Sequence, residues 1–262
     1  MGELSRKNWK EIDLNVDSLW IFPERQKGGK HTNSYHGNFI PQIPNQLIRR
    51  YTEEGDTILE LFSGSGTTLF ECETLNRKYI GFDINKEINS EVEKKMKDSS
   101  FNGFQIFNCD VTNRDSFNNC LMKAFQKISI SNVDFLIAHP PYLNIIKFSD
   151  DKRDLSNFSN VNSFIDKLLL SIENGIKFLA NGKYFAIVCG DVYKNREVIP
   201  LAFNVMEAIR SHFNVKLKGI VIKNIEGNRG KLGKQDIWRF RAIQSDYFIF
   251  KHEYIFVFKK II

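Results

Sequence analysis

Apolar residues along this chain switch repeatedly between a helical and an extended spacing. From Pro41 onward, Ile43, Leu47, Ile48 and Tyr51 recur at helical intervals, and Glu54-Gly55-Asp56 stops that segment before an apolar run at 57–61. The same alternation then predicts a helix over about 66–76, a strand at 78–83, a helix at 86–97, a strand at 104–107, a helix at 115–127 and a strand at 133–138. Strands that alternate with helices of this length spell a parallel sheet with crossover helices.

Beyond residue 138 the chain is irregular and polar to about 160. An amphipathic helix follows, with Phe164, Leu168, Leu169 and Ile172 on one face, and then a strand at 183–189. A helix near 198–212, a strand near 215–223 and a closing strand from Tyr247 to Phe258, rich in aromatic and β-branched residues, complete the pattern. The expectation is a doubly wound α/β fold with a mostly parallel seven-stranded sheet and a hairpin-like last pair. Residues 1–38 lack sustained periodicity and read as an amino-terminal arm, and residues 39–262 read as one domain. No internal repeat or low-complexity tract is evident.

A chain of 262 residues suits one sizeable core better than two. Hydrophobic residues at 42% and charged residues at 26% are ordinary for a globular protein. A net charge of +6 and a pI near 9.0 shift expectation modestly toward a polyanionic partner. Cys72, Cys109, Cys120 and Cys189 are scattered, with no CxxC pair and no ligand spacing, so neither a disulfide framework nor a structural metal is expected. The start Met1-Gly2-Glu3-Leu4-Ser5 has no apolar h-region, and no stretch approaches membrane-spanning length; a cytoplasmic location without a membrane partner is expected.

Two places carry chemistry. The first is Leu59-Glu60-Leu61-Phe62-Ser63-Gly64-Ser65-Gly66-Thr67-Thr68, a strand that ends in a glycine turn opening a helix. In an open α/β sheet, ligands bind outside the carboxyl ends of the strands, where strand order reverses, and glycine admits both positive φ and close approach of a ligand. Thr67-Thr68 after glycine also resembles a phosphate loop, but the Gly-Lys-Ser/Thr that such a loop needs is absent. Asp83 ends the next strand, about twenty residues on, where an acidic side chain can accept both hydroxyls of a ribose; the alternative is a helix cap. Asp110 ends the third strand and either accepts from an adenine amino group or serves as a turn aspartate. NAD would use a similar geometry, but the GxGxxG spacing is missing.

The second place is His139-Pro140-Pro141-Tyr142, directly after the apolar run 133–138. With the glycine turn it resembles the DNA amino-methyltransferases, which take a methyl group from S-adenosylmethionine to N6 of adenine or N4 of cytosine. That resemblance extends over roughly residues 30–260. It implies a Rossmann-like methyltransferase sheet with an antiparallel last strand, double-stranded DNA with a flipped target base as partner, and a place in a restriction-modification system. It also implies that Phe39 and Pro41, in the segment His36–Pro44, join Glu60, Phe62, Ser63, Gly64, Ser65, Gly66, Thr67, Thr68, Asp83 and Asp110 as cofactor candidates.

In the family, the side chain at the first position of the tetrapeptide and the carbonyl of the next proline accept hydrogen bonds from the target amine, while the aromatic fourth residue stacks on the base. His139, Pro140, Pro141 and Tyr142 are thereby the catalytic candidates, with Leu143, Asn144 and Phe148 shaping the pocket. Aspartate, asparagine or serine is usual where this chain has His139, so an imidazole must be neutral and in the right tautomer to accept. The variant leaves the target base open.

Between Lys223 and Arg241 the chain interleaves Arg229, Lys231, Lys234 and Arg239 with Gly227, Gly230, Gly233, Trp238 and Phe240, against Glu226 and Asp236. This makes 223–246 a candidate DNA-recognition loop, with Arg229, Lys231, Lys234, Arg239 and Arg241 for phosphates and Trp238 for unstacked bases. Methylation of an RNA base or a protein glutamine, or a cofactor-binding DNA-binding regulator without turnover, are the alternative functions.

Overall fold

The computed structural model describes residues 10–32, 35, 37–226 and 235–261. From the amino end the elements are β1 (Leu19–Trp20), α1 (Gln42–Tyr51), β2 (Thr57–Glu60), α2 (Thr67–Thr74), β3 (Lys78–Asp83), α3 (Lys86–Met96), β4 (Phe104–Asn108), α4 (Arg114–Ile128) and β5 (Val133–Ala138). Then come α5 (Val161–Ile176), β6 (Leu179–Cys189), β7 (Val192–Lys194), β8 (Glu197–Ile199), α6 (Leu201–His212), β9 (Val215–Asn224), α7 (Gln235–Gln244) and β10 (His252–Lys260). Helix starts follow side-chain chemistry. Asn85, Asn113 and Asn160 cap α3, α4 and α5 by accepting from backbone N–H groups of the first turn.

The main sheet has the order β1-β9-β10-β6-β5-β2-β3-β4. Strands β2 to β6 pair in parallel, and β10 runs antiparallel to both β6 and β9. Successive residues of each central strand face opposite layers. Ile58, Phe135 and Ile255 pack on one side with α1, α2 and α3, whereas Leu59, Leu136 and Phe256 pack on the other with α4, α5 and α6. Burial on both faces explains why these strands read as continuous apolar runs.

The seven expected strands are joined by an eighth. The two-residue β1 pairs in parallel with β9, placing Leu19 opposite Ile222. Trp20 is buried, and the side chain of Asn224 bonds both the N–H and the carbonyl of Phe22, so this part of the arm docks on the sheet edge. So short a strand carries no periodicity to read. Further boundaries depart from expectation, among them the start of β6 at Leu179 instead of 183. A β7–β8 hairpin precedes α6, which starts only after Pro200. β10 begins at His252 because its partner β9 ends at Asn224. Part of the expected loop at 223–246 is the helix α7. The four cysteines are unbonded thiols. Among the described residues no helix is long and apolar enough to cross a membrane, and no group of His, Cys, Asp and Glu is placed to hold a metal ion.

Candidate functional site

Strand order reverses between β2 and β5, which lie side by side with Glu60 opposite Ile137. The turn after β2 and the corner after β5 are therefore neighbours at the carboxyl edge of the sheet, where open α/β sheets bind ligands. Between them lies a cleft of about 1050 Å³ counted out to its open mouth.

The turn is held from β3. Ser63 N–H donates to the Phe82 carbonyl at 2.8 Å, and Gly64 N–H donates to Asp83 Oδ2 at 2.8 Å. Gly64 has φ +47°, and its hydrogen occupies a place from which a side chain would reach the Tyr35 ring at 3.4 Å. Gly66 differs. It starts α2 at φ +81°, and a Cβ there would sit 2.8 Å from Val92 Cγ1, so this glycine admits α3 rather than a ligand.

Of the cofactor candidates, Phe39, Glu60, Phe62, Ser63, Gly64, Ser65, Thr67, Asp83 and Asp110 line the cleft. Pro41, Gly66 and Thr68 do not. Pro41 precedes the first turn of α1, and Thr68 is buried, donating to Glu60 Oε1 at 2.6 Å while Tyr79 OH donates to Glu60 Oε2 at 2.5 Å. Burial pushes the Glu60 carboxyl up to about 8 against the pull of those two donors. Asp83 accepts from the Gly64 and Asn85 N–H groups, one on each oxygen, and burial pushes it up to about 6. Each oxygen keeps a lone pair for a further donor. The Asp83 side chain does not cap α3; Asn85 does. Asp110 lines the cleft and also closes its own turn, its Oδ1 accepting from Thr112 N–H at 2.9 Å and Thr112 Oγ1 at 2.7 Å.

The corner brings His139, Pro140, Pro141 and Tyr142 onto the same cleft. His139 Nε2 lies 3.0 Å from Tyr142 OH, which donates to Glu253 Oε2 at 3.0 Å, and Lys223 Nζ donates to Glu253 Oε1 at 3.1 Å. Glu253 and Lys223 are both buried. Burial lowers the His139 imidazole to about 4, with Glu253 pulling it up and Lys223 pushing it down, so it is neutral at pH 7. Its ring lies 4.9 Å from that of Phe39. Gly190, just past β6, has no Cβ because one would stand 2.8 Å from Tyr142 Cε2.

The sequence pattern missed several of these partners. Glu253 reads as an ordinary strand residue and Lys223 only as the start of the basic loop; the structure buries the two as an ion pair. Gly190 follows the apolar strand β6 directly, a signal of close approach that was available. Tyr35 and Phe148, both lining the cleft, stack at 5.7 Å, and Arg25 donates to the carbonyl of Phe39, another lining residue, at 2.9 Å. Of the residues expected around Tyr142, Phe148 lines the cleft, whereas Leu143 is a core residue and Asn144 faces Lys194 at the surface.

Arg229, Lys231 and Lys234 lie outside the described residues. Trp238, Arg239 and Arg241 are on α7, where both arginines are exposed and the Arg241 guanidinium lies 5.6 Å from the centre of the Trp238 ring.

Residues 2–94 match the N6/N4 methyltransferase family, described as DNA methylase. That segment takes in the glycine turn and Asp83 and stops short of His139. Similar proteins include the type II methyltransferases M.HpaI of Haemophilus parainfluenzae, 38% identical over 34% of this chain and 28% of its own length, and M.BamHI of Bacillus amyloliquefaciens, 35% identical over 39% of this chain and 24% of its own. M.MjaI of Methanocaldococcus jannaschii is 35% identical over 40% of this chain and 35% of its own length. Each alignment thus spans about a third or less of the relative.

Among solved structures, TrmN from Thermus thermophilus superposes with a TM-score of 0.54 over 85% of this chain and 49% of its own, at 15% identity. The [4+2]-cyclase SpnF does so with 0.51 over 87% of each chain, at 10% identity. The fold is therefore the Rossmann-like methyltransferase fold, and that fold by itself names no reaction.

Proposed function

We propose that the chain binds S-adenosylmethionine in the turn half of the cleft and methylates the exocyclic amine of adenine or cytosine in DNA, as the modification enzyme of a restriction-modification system. The observation that carries this reading is the juxtaposition of β2 and β5, which puts the glycine turn and the His-Pro-Pro-Tyr corner on one cleft. The match of residues 2–94 to DNA methylases supports the cofactor and the polymer.

The residues fit such a cofactor. Asp83 retains acceptor capacity for two ribose hydroxyls, Gly64 leaves the backbone open, and Phe39 supplies an apolar wall. When bound, the sulfonium supplies an electrophilic methyl group. The amine of a nucleobase is conjugated to its ring and nucleophilic only when its N–H groups are engaged by acceptors. His139 and the Pro140 carbonyl are proposed as those acceptors, with orientation and water exclusion as the main sources of rate. Burial keeps His139 neutral and able to accept. Exposed Arg239 and Arg241, with Trp238, are proposed to meet DNA.

Transfer of labelled methyl groups from S-adenosylmethionine to duplex DNA, RNA and protein tests the proposal. Label in DNA, at N6 of adenine or N4 of cytosine, is expected. Label only in RNA or in protein glutamine would overturn the choice of polymer, and DNA binding with no turnover on any polymer would point to a regulator. If Arg239 contacts a phosphate, Arg239→Ala should lower the magnitude of the log-log salt slope of duplex binding by about 0.9.

A further inference from the structure

Lys223 and Glu253 form an ion pair whose side chains are 6% and 9% exposed, and Glu253 meets Tyr142 of the cleft lining. A pair of this kind adds little net stability, because desolvation offsets the attraction. What it does is local. Glu253 Oε1 is taken by Lys223 Nζ, so Oε2 faces Tyr142 OH at 3.0 Å. A carboxylate can only accept, and Tyr142 has one proton to give. With that proton committed to Glu253, the Tyr142 oxygen must accept from His139 Nε2, 3.0 Å away. The imidazole therefore carries its hydrogen on Nε2, and its Nδ1, which has no hydrogen bond among the described residues, is the bare acceptor.

We infer that Glu253, braced by Lys223, is a positioning residue that acts through Tyr142 to set the tautomer of His139, so that Nδ1 accepts from the amine being modified. The identity of that amine rests on the reading above; the tautomer does not. The titratable groups facing the imidazole and its partner are Tyr142 on the corner, Glu253 on β10, Lys223 on β9 and Cys189 at the end of β6, whose thiol burial holds protonated. As the amine nitrogen bonds the methyl carbon, the sulfur–carbon pair stays on sulfur. The amine then gives a proton to Nδ1, and the resulting imidazolium keeps its Nε2–H on Tyr142, beside the Glu253 charge. The positive charge leaves by loss of that proton to solvent.

The test is 15N NMR of histidine-labelled protein without any ligand, with the His139 signals assigned through a His139→Gln variant. At pH 7 the wild type should show Nε2 protonated and Nδ1 bare. In Glu253→Gln, Lys223 should claim the amide oxygen and turn the amide N–H toward Tyr142, which must then donate to Nε2 and move the imidazole proton to Nδ1. Turnover in the labelled-methyl assay should fall about 100-fold, while the cofactor Kd stays within about twofold of wild type, as expected for a change confined to the proton-handling group. Tyr142→Phe, which keeps the ring and removes the hydroxyl, should give a mixture of tautomers. A protonated Nδ1 in the wild type, or a wild-type tautomer in Glu253→Gln, would overturn the inference. Wild-type protein that shows the expected tautomer yet methylates nothing would instead remove the functional reading and leave the relay standing.

Discussion

In the turn half of the cleft, Gly64 is held by Asp83, 19 residues on at the end of β3, and Ser65 by Asn38, 27 residues before it in the segment ahead of α1. In the corner half, the Tyr142 hydroxyl is held by Glu253, 111 residues away, across β6 and β10. The first half is a strand-turn-helix unit whose geometry follows from local glycine and capping chemistry. The second exists only once the far edge of the sheet has closed. Binding and proton handling should therefore be separable by mutation.

The largest expected break is in the corner. His139→Ala should lower turnover by about 100-fold or more, the range of a lost proton acceptor, with cofactor affinity retained by calorimetry. An active alanine variant would show that another group engages the amine. The pH profile sharpens the same point. With its imidazole lowered to about 4, His139 stays neutral well below its ordinary 6.5, so the part of turnover that depends on it should be flat from neutral pH down to about 5 and fall only as pH approaches 4. The unfolded chain takes that proton near 6.5, so the same group makes the fold lose stability as pH falls from 6.5 toward 4.

Gly64→Val should break the other half, because a β-branched residue at φ +47° is strained and its side chain meets Tyr35. Cofactor binding should weaken by about 100-fold, an expectation scaled to 1–3 kcal/mol of strain, while the His139 tautomer is unchanged. Tight binding by a folded valine variant would remove the turn from the site.

A smaller effect is expected of Gly190→Ala, whose methyl would stand 2.8 Å from the Tyr142 ring and shift it. Turnover should drop about tenfold, as for a slight misplacement of a reacting group, and the cofactor Kd should hold; equal losses in both would show that the halves are coupled.

The mildest change is Glu60→Gln. The Glu60 carboxyl is raised from 4.5 to about 8, so its contribution to stability is full below 4.5 and lost as pH rises through about 8. Thermal melts should place the variant level with wild type at pH 5 and a few degrees above it at pH 9. A wild-type midpoint that rises over that interval relative to the variant would contradict a neutral buried carboxyl.

Periodicity and punctuation in the chain were enough to place β2 to β6, the crossover helices and the antiparallel close, because burial on one or both faces writes directly into the residue pattern. They also marked Gly64, Asp83 and the His139–Tyr142 corner, since strand ends with glycine, acid or proline are local events. Of the other cofactor candidates, Pro41 precedes α1, Gly66 opens α2 against Val92, and Thr68 donates to Glu60. Lys223 illustrates the opposite failure. At the start of a run of basic residues nothing in its spacing marks it as buried, and its pairing opposite Glu253 in the β9–β10 register buries it.

What the sequence by itself determined is therefore the sheet, its order of layers and the two strand ends that meet, all consequences of short-range pattern. What only the tertiary structure decided is which side chains stand behind those ends. The partner of Tyr142 is chosen by the order of strands across the sheet, and a line of polar contacts runs from Lys223 through Glu253 and Tyr142 to His139 that no spacing along the chain encodes.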